Sequence, residues 1–417
     1  MRMRTDKVSN KRRIRAVGGF VLLIVCTLIA SDAYAETSGN MGWANVFGFT
    51  TEVEITESYN DNLFSDDLNK IDSTVSELLV RTQLAIEDHK NNYALNYELA
   101  SGFYSQSSDD DYIDSRLNFR GHIEPNNRHR IGVNIDYFAL HEERGSTFSS
   151  SGVAKPDEFT INSLSFKYGY GLKKLKKSSG NLEFYSDYTK KRYDNNFDTT
   201  KSKELDTSTL GTAFFFKSSA KTEFLLDVAL NNYSYVLSSS TKDSNERSAL
   251  LGLSWDTSAK TRGVVKIGGQ DKRFDSSKTE DAKSQAWEVT ILWDPLSYSL
   301  FTFSTERKFS EPSLDEDYVE GVYSSISWSH QWKKRFSTKI TISLDNEDLL
   351  LDEQVISKRK TGRLGLSGEY EFLKNINVSL GYEYSKRDND IKDNTVNISG
   401  NRNFTRNIYN LALSAAI

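Results

Sequence analysis

The sequence predicts an all-β protein: a transmembrane, antiparallel, up-and-down β-barrel of about eighteen strands, with sixteen as the alternative count. Three observations carry this. Apolar and polar residues alternate with a period of two through most of the chain. Short polar turns recur about every forty residues, with longer polar connections between them. The chain also opens with an export leader.

The leader comes first. Arg2, Arg4, Lys7, Lys11, Arg12, Arg13 and Arg15 precede an apolar run over residues 16–30, and Ala33-Tyr34-Ala35 is a small-x-small cleavage site. The run falls short of the roughly twenty apolar residues a helical span needs. Residues 1–35 therefore read as a signal peptide, 36–46 as a short periplasmic segment and 47–417 as the barrel. Cys26, the one cysteine, lies inside the leader behind Val25, so acylation is not expected. The processed chain is predicted to have no disulfide and no thiolate metal site. Cleavage after Ala35 removes 7 basic and 2 acidic residues, leaving 46 basic and 56 acidic side chains, a net charge of −10. Nucleic acid, which calls for a basic face, is excluded as a partner.

The strands follow in order. Phe47, Phe49, Val53 and Ile55 share one parity, and Glu52, Glu54 and Thr56 the other. Tyr93-Leu95-Tyr97-Leu99, Ile131-Val133-Ile135-Tyr137 and Leu164-Phe166-Tyr168-Tyr170 repeat the pattern. So do Leu251-Leu253-Trp255, Trp287-Val289-Ile291-Trp293, Ile340-Ile342-Leu344 and Ile376-Val378-Leu380-Tyr382. A mean hydropathy of −0.57 is compatible with a membrane wall, because only alternate residues of a barrel face lipid. A soluble propeller or sandwich would have inner strands covered on both faces and reading as continuous apolar runs. Short turns such as Asp88-His89-Lys90-Asn91, Pro125-Asn126-Asn127-Arg128 and Lys333-Lys334-Arg335 are assigned to the periplasmic side. Residues 60–72, 105–111, 142–157, 194–204, 236–245, 275–283, 309–317, 346–356 and 386–399 are assigned to longer extracellular loops. Aromatics near strand ends, such as Trp255, Trp293, Trp328 and Trp332, are expected in the interfacial girdles. The last strand, Tyr409-x-Leu411-x-Leu413-x-Ala415-x-Ile417, closes the barrel, although Ile417 stands where an aromatic residue is usual.

If one parity meets lipid, the other lines a wet bore. The inward charges proposed to meet a solute are Arg81, Glu98, Arg116, Arg120, Asp136, Lys167, Glu183, Asp187, Lys339, Arg363, Glu369 and Glu383. Pairing across neighbouring strands is the competing role for these charges. Inward Tyr185 and Tyr323 are candidates for stacking on sugars. Of the five histidines, only His141, beside Glu142 and Glu143, sits where chemistry at the outer rim is conceivable. No serine or aspartate motif supplies it with a partner, so no enzyme, cofactor or metal is expected. Asp61, Asp66 and Asp67 read as strand-ending turn residues, with a calcium or sugar contact as the sharper alternative.

Three stretches carry a family resemblance: "SYNDNLF" at 58–64, "YALNYELASGFY" at 93–104 and "YFALHEERGSTF" at 137–148. They resemble the β-barrel porin families of Gram-negative bacteria, including the barrels of exopolysaccharide and capsule export loci. The resemblance implies a place in the cell outer membrane, among its lipid and lipopolysaccharide. It also implies a passive conduit for exopolysaccharide or oligosaccharide, with the polysaccharide and a periplasmic export machinery as partners. The residues themselves leave open a general diffusion porin, a barrel enzyme of protease or lipase type, and an adhesin or structural barrel.

Overall fold

The computed structural model describes residues 46–149, 152–171, 180–219, 221–256, 260–312, 316–392 and 403–417. The expected signal peptide and nearly all of the 36–46 segment lie outside the described residues. The strands of the first half are β1 Val46–Asn60, β2 Ser73–Asp88, β3 Asn91–Tyr104, β4 Tyr112–Ile123, β5 His129–Glu142, β6 Asp157–Tyr170, β7 Gly180–Tyr193, β8 Leu205–Lys217 and β9 Thr222–Tyr235. Those of the second are β10 Ser244–Asp256, β11 Thr261–Phe274, β12 Ala282–Leu296, β13 Ser299–Ser310, β14 Tyr318–Lys333, β15 Phe336–Leu351, β16 Gln354–Leu373, β17 Ile376–Ile391 and β18 Phe404–Ala416. All eighteen pair antiparallel with their sequence neighbours, and β1 pairs with β18, so the sheet has no free edge. Closure is obligatory in lipid, where an unpaired backbone N–H or C=O has no water to bond.

Register explains the two-sided wall. Phe49 faces Leu84, Leu84 faces Leu95, and Leu95 faces Phe119, so apolar rows run around the outside. Leu251, Ile267, Leu380 and Phe49 are each more than 60% exposed in the isolated chain, as a lipid-facing surface requires. At the short-turn end Trp293, Phe301 and Trp328 stack with ring centroids 5.1 and 5.8 Å apart. His330 has the same outward parity and packs against Trp332 at 4.3 Å. At the loop end Tyr382 and Tyr409 lie 5.1 Å apart, and Tyr409 faces Tyr59 across the seam.

"SYNDNLF" seals that seam. Asn60 Oδ1 accepts the Asn62 N–H at 2.9 Å. Asn62 is fully buried, donates from Nδ2 to the Thr405 carbonyl at 2.9 Å and accepts the Asp66 N–H at 2.9 Å. Both carboxylate oxygens of Asp61 are taken by Asn407, each at 2.7 Å. Asp67 accepts the Thr405 N–H at 3.0 Å. These acids are thus tied to the last strand, and among the described residues no His, Cys, Asp or Glu group is arranged to hold a metal ion.

One expected loop is not a loop. The sequence pattern makes residues 346–356 a long extracellular connection, but β15 runs to Leu351, β16 starts at Gln354, and only Asp352 and Glu353 turn between them. Both hold positive φ, 50° and 58°. The hairpin outruns the bilayer, and the upper part of β13–β16 leans into the barrel mouth. There Phe309, Tyr318, Leu350 and Val355 pack on Phe274 and Ala282 of the neighbouring wall. Val319, Leu349 and Ile356 form a second cluster on the other face of this extension. Burial on both faces explains the apolar run "LLL" at 349–351, which polar loops lack.

The wall makes a direct prediction. Val289→Arg, on the lipid-facing row, should cost about 2–4 kcal/mol of folding stability near the midplane, whereas Thr290→Arg, facing the bore, should cost little. Urea titration of folding into vesicles reads the difference.

Candidate functional site

The inner wall is built from the polar parity. Arg81 donates from Nε to Glu98 at 3.0 Å and lies 3.5 Å from Glu52, and Arg116 pairs with the same Glu98. A ladder of side-chain amides continues around the bore. Gln83 donates to Asn96 at 2.8 Å, Asn96 to Asn118 at 3.1 Å, and Asn118 to Asn134 at 2.7 Å and Asp136 at 2.5 Å. Lys167 and Glu183 are 3.4 Å apart. Lys266 bridges Asp227 at 3.0 Å and Glu288 at 2.8 Å. Arg363 donates to Asp345 at 2.5 Å. Inward residues on adjacent strands face each other about 5 Å apart, so opposite charges on one row meet without rearrangement.

The twelve sequence-proposed residues separate into groups. Arg81, Glu98 and Arg116 form one ion cluster, and Asp136 ends the amide ladder. Arg120, Lys167 and Asp187 line a concave region of about 820 Å³ together with Tyr185. Lys339 and Glu369 line another, of about 430 Å³, at the turn end of β12–β16. Arg363 lines a third beside Glu288 and Tyr323. Glu383 lies 3.8 Å from Arg406. Tyr185 and Tyr323 do point inward, but their hydroxyls are engaged, donating to Asp227 at 2.8 Å and Glu347 at 3.0 Å.

The connection between β5 and β6, loop 3, is described over residues 143–149 and 152–156 and turns into this bore. Its base is "HEERG". His141 stacks on Tyr112 at 3.9 Å and shares a hydrogen bond of 2.9 Å with Asp114. Glu142 accepts from Lys191 Nζ at 2.8 Å and the Tyr193 hydroxyl at 2.9 Å. Arg144 clamps Asp110 of the β3–β4 connection through Nε at 2.7 Å and Nη2 at 2.5 Å, and its guanidinium lies 4.5 Å from the Phe64 ring of the β1–β2 connection. Gly145 holds φ +84°, and a Cβ there would fall 2.0 Å from the Phe64 carbonyl oxygen, so only glycine fits. The Ser149 hydroxyl accepts the Gly145 N–H at 3.0 Å and donates to the Ser146 carbonyl at 3.0 Å, closing the loop on itself.

The tip reaches across to β17, six strands around the wall from β5. Thr147 accepts from Arg387 Nη2 of β17 at 2.8 Å, and Lys203 Nζ donates to the Phe148 carbonyl at 2.6 Å. Arg387 is only 7% exposed, bonds Thr361 at 3.3 Å, and has no carboxylate partner among the described residues. Arg359, on the adjacent β16, donates to Glu347 at 2.6 Å. Arg406 of β18 lies 3.9 Å from Glu143 at the root of the loop. Sequence reading missed Arg387 because residues 386–399 were assigned to a loop. Past Tyr384 both parities are polar, so alternation gives no signal there although the strand continues to Ile391.

A closed barrel with an apolar exterior, a charged bore and a loop folded into that bore defines an outer-membrane channel of the porin class. The chain belongs to the family described as "Putative beta-barrel porin 2", which matches residues 44–408. A search of curated proteins returned no match. Among solved structures, the chain is similar to OpdO of Pseudomonas aeruginosa (10% identity, 90% of this chain and 98% of that one, TM-score 0.47). It is also similar to OccAB1 of Acinetobacter baumannii (8%, 92% and 99%, TM-score 0.48). A third is OccK2 (OpdF) of Pseudomonas aeruginosa in complex with glucuronate (9%, 90% and 99%, TM-score 0.49).

The clamp at the base of loop 3 is open to test. Arg144→Ala should leave the barrel folded but free the loop, so that limited proteolysis cuts within residues 143–156 of the variant and spares the parent. Equal resistance would show that Arg144 does not hold the loop.

Proposed function

We propose that the protein is a passive channel for small hydrophilic solutes, with no chemical step. The observation that carries this reading is the Thr147–Arg387 contact, by which loop 3 spans the bore from β5–β6 to β17. A loop anchored at both ends narrows the passage. The leaning extension of β13–β16 narrows it again at the mouth, where Glu311 accepts from the Tyr235 hydroxyl at 2.6 Å and from Lys272 Nζ at 2.5 Å. The ladders of paired charges below offer many weak polar contacts and no deep trap, which suits passage.

The polysaccharide conduit implied by the family resemblance asks for more room, since an extended sugar chain would have to displace loop 3 from Arg387. The small-solute reading needs no such movement. A rim enzyme finds no support at His141. Its side chain is about 10% exposed, stacked on Tyr112 and bonded to Asp114 as an anchor of the loop.

Single-channel recording on refolded protein, with liposome swelling in sugars of graded length, tests the proposal. Steady conductance is expected, with monosaccharides entering and long oligosaccharides excluded. Arg387→Ala, which releases the loop tip, should raise conductance. A bilayer no more conductive than an empty one would end the channel reading, and ready entry of long chains would favour the polysaccharide conduit.

A further inference from the structure

The outer wall carries a feature that transport does not use. On β10, β11 and β12 the register stacks three outward rows. Arg247, Asp271 and Lys283 form the row nearest the loops, Ala249, Gly269 and Gln285 the next, and Leu251, Ile267 and Trp287 the third. Leu251 and Ile267 are 65% and 63% exposed, which places this face in lipid. Arg247, Arg273 and Lys283 are all exposed. Asp271 is drawn to Arg273, one turn of the pleat further out, at 3.1 Å. Arg247 and Lys283 are left with no carboxylate partner among the described residues. A Cβ on Gly269 would meet nothing closer than 3.9 Å, so bare backbone floors a shallow step between the cations and the apolar row.

Several other outward cations along the rim are compensated. Lys358 pairs with Asp348 at 3.6 Å, Lys386 with Asp388 at 2.9 Å, and Arg307 with Glu320 at 2.9 Å. Four residues, about 13 Å of strand, separate Arg247 from Leu251. Arginine and lysine cost several kcal/mol at the bilayer midplane but about 0–1 near the interface. The uncompensated pair therefore sits at headgroup depth, above small residues and then a branched-aliphatic and tryptophan surface.

We propose that this face binds a phosphorylated glycolipid of the outer leaflet. The phosphate lies between Arg247 and Lys283, the sugar rests on Ala249 and Gly269, and an acyl chain follows Leu251, Ile267 and Trp287. Order matters here: anion, hydroxylated ring and hydrocarbon succeed one another with depth, as the three rows do. Arginine and lysine are the side chains suited to phosphate, through charge-assisted hydrogen bonds.

Binding of bisphosphorylated lipid A to the refolded full chain in detergent, followed by native mass spectrometry and thermal shift, tests this. The parent protein should bind lipid A, and the R247Q/K283Q variant should bind about thirtyfold more weakly, near the loss of two surface cations. The K358Q/K360Q variant, with cations removed from the outer face of β16, should bind like the parent. Asp271→Asn, which removes the one carboxylate of the patch, should bind more tightly. Unchanged binding by R247Q/K283Q, equal loss in K358Q/K360Q, or equal binding of dephosphorylated lipid A would overturn the proposal. The substituted cations are all exposed and Asp271 is partly so, and unaltered conductance of each variant would separate this result from any failure of the channel reading.

Discussion

The structure depends on one constraint: in a hydrocarbon medium every backbone hydrogen bond must be made within the protein. For a chain built of strands, that requirement is met only when the last strand finds the first. β1 and β18 pair over nine residues, from Glu52–Ala416 to Asn60–Ile408. The β1–β2 connection then locks the join from above with Asn62, Asp61 and Asp67. The asparagines and aspartates after Tyr59 end a strand, as small polar residues do, but they also close a circle. Their partners, Thr405 and Asn407, lie more than three hundred residues away in sequence.

Closure fixes the rest of the chemistry. Once the sheet is a cylinder, strict alternation assigns every side chain to lipid or to water, and the water side collects charges of both signs. These neutralise one another across adjacent strands, as with Arg81, Glu98 and Arg116. Much of the inward charge is thereby paired, at the expense of a bore with little net sign of its own. Arg387 differs in being nearly buried, a guanidinium held by hydroxyls. Burying a charge without a counter-charge is unfavourable, and the contact it makes with Thr147 fixes the tip of loop 3 against β17.

The mouth is organised by a different principle. Where strands outrun the bilayer they are no longer bound to face lipid, and β13–β16 exploit this by leaning inward. Lys272, with no exposed surface, is held there by Glu311, with the Tyr233 ring 3.9 Å away. Such a buried pair needs full hydrogen bonding to be tolerated, and the Tyr235 hydroxyl helps to supply it. The mouth therefore carries a small apolar core of its own, which a simple cylinder does not need.

Local pattern was enough for the class of fold, the eighteen strands, and the side of the wall on which Arg81, Glu98, Lys167 or Arg363 would stand. All of these follow from a period of two, which is a property of neighbouring residues. The pattern failed at residues 346–356 and 386–399, because above the membrane both parities become polar or both become apolar and alternation stops reporting strand. "HEERG" could be recognised as a motif but not understood, since its meaning is the set of partners Asp114, Lys191, Asp110 and Phe64, each on a different segment. What only the tertiary structure decided is the inside of the barrel: that Thr147 meets Arg387, six strands away around the wall, and that Glu311 meets Lys272. Those contacts arise from curvature, which brings together residues that no spacing along the chain relates.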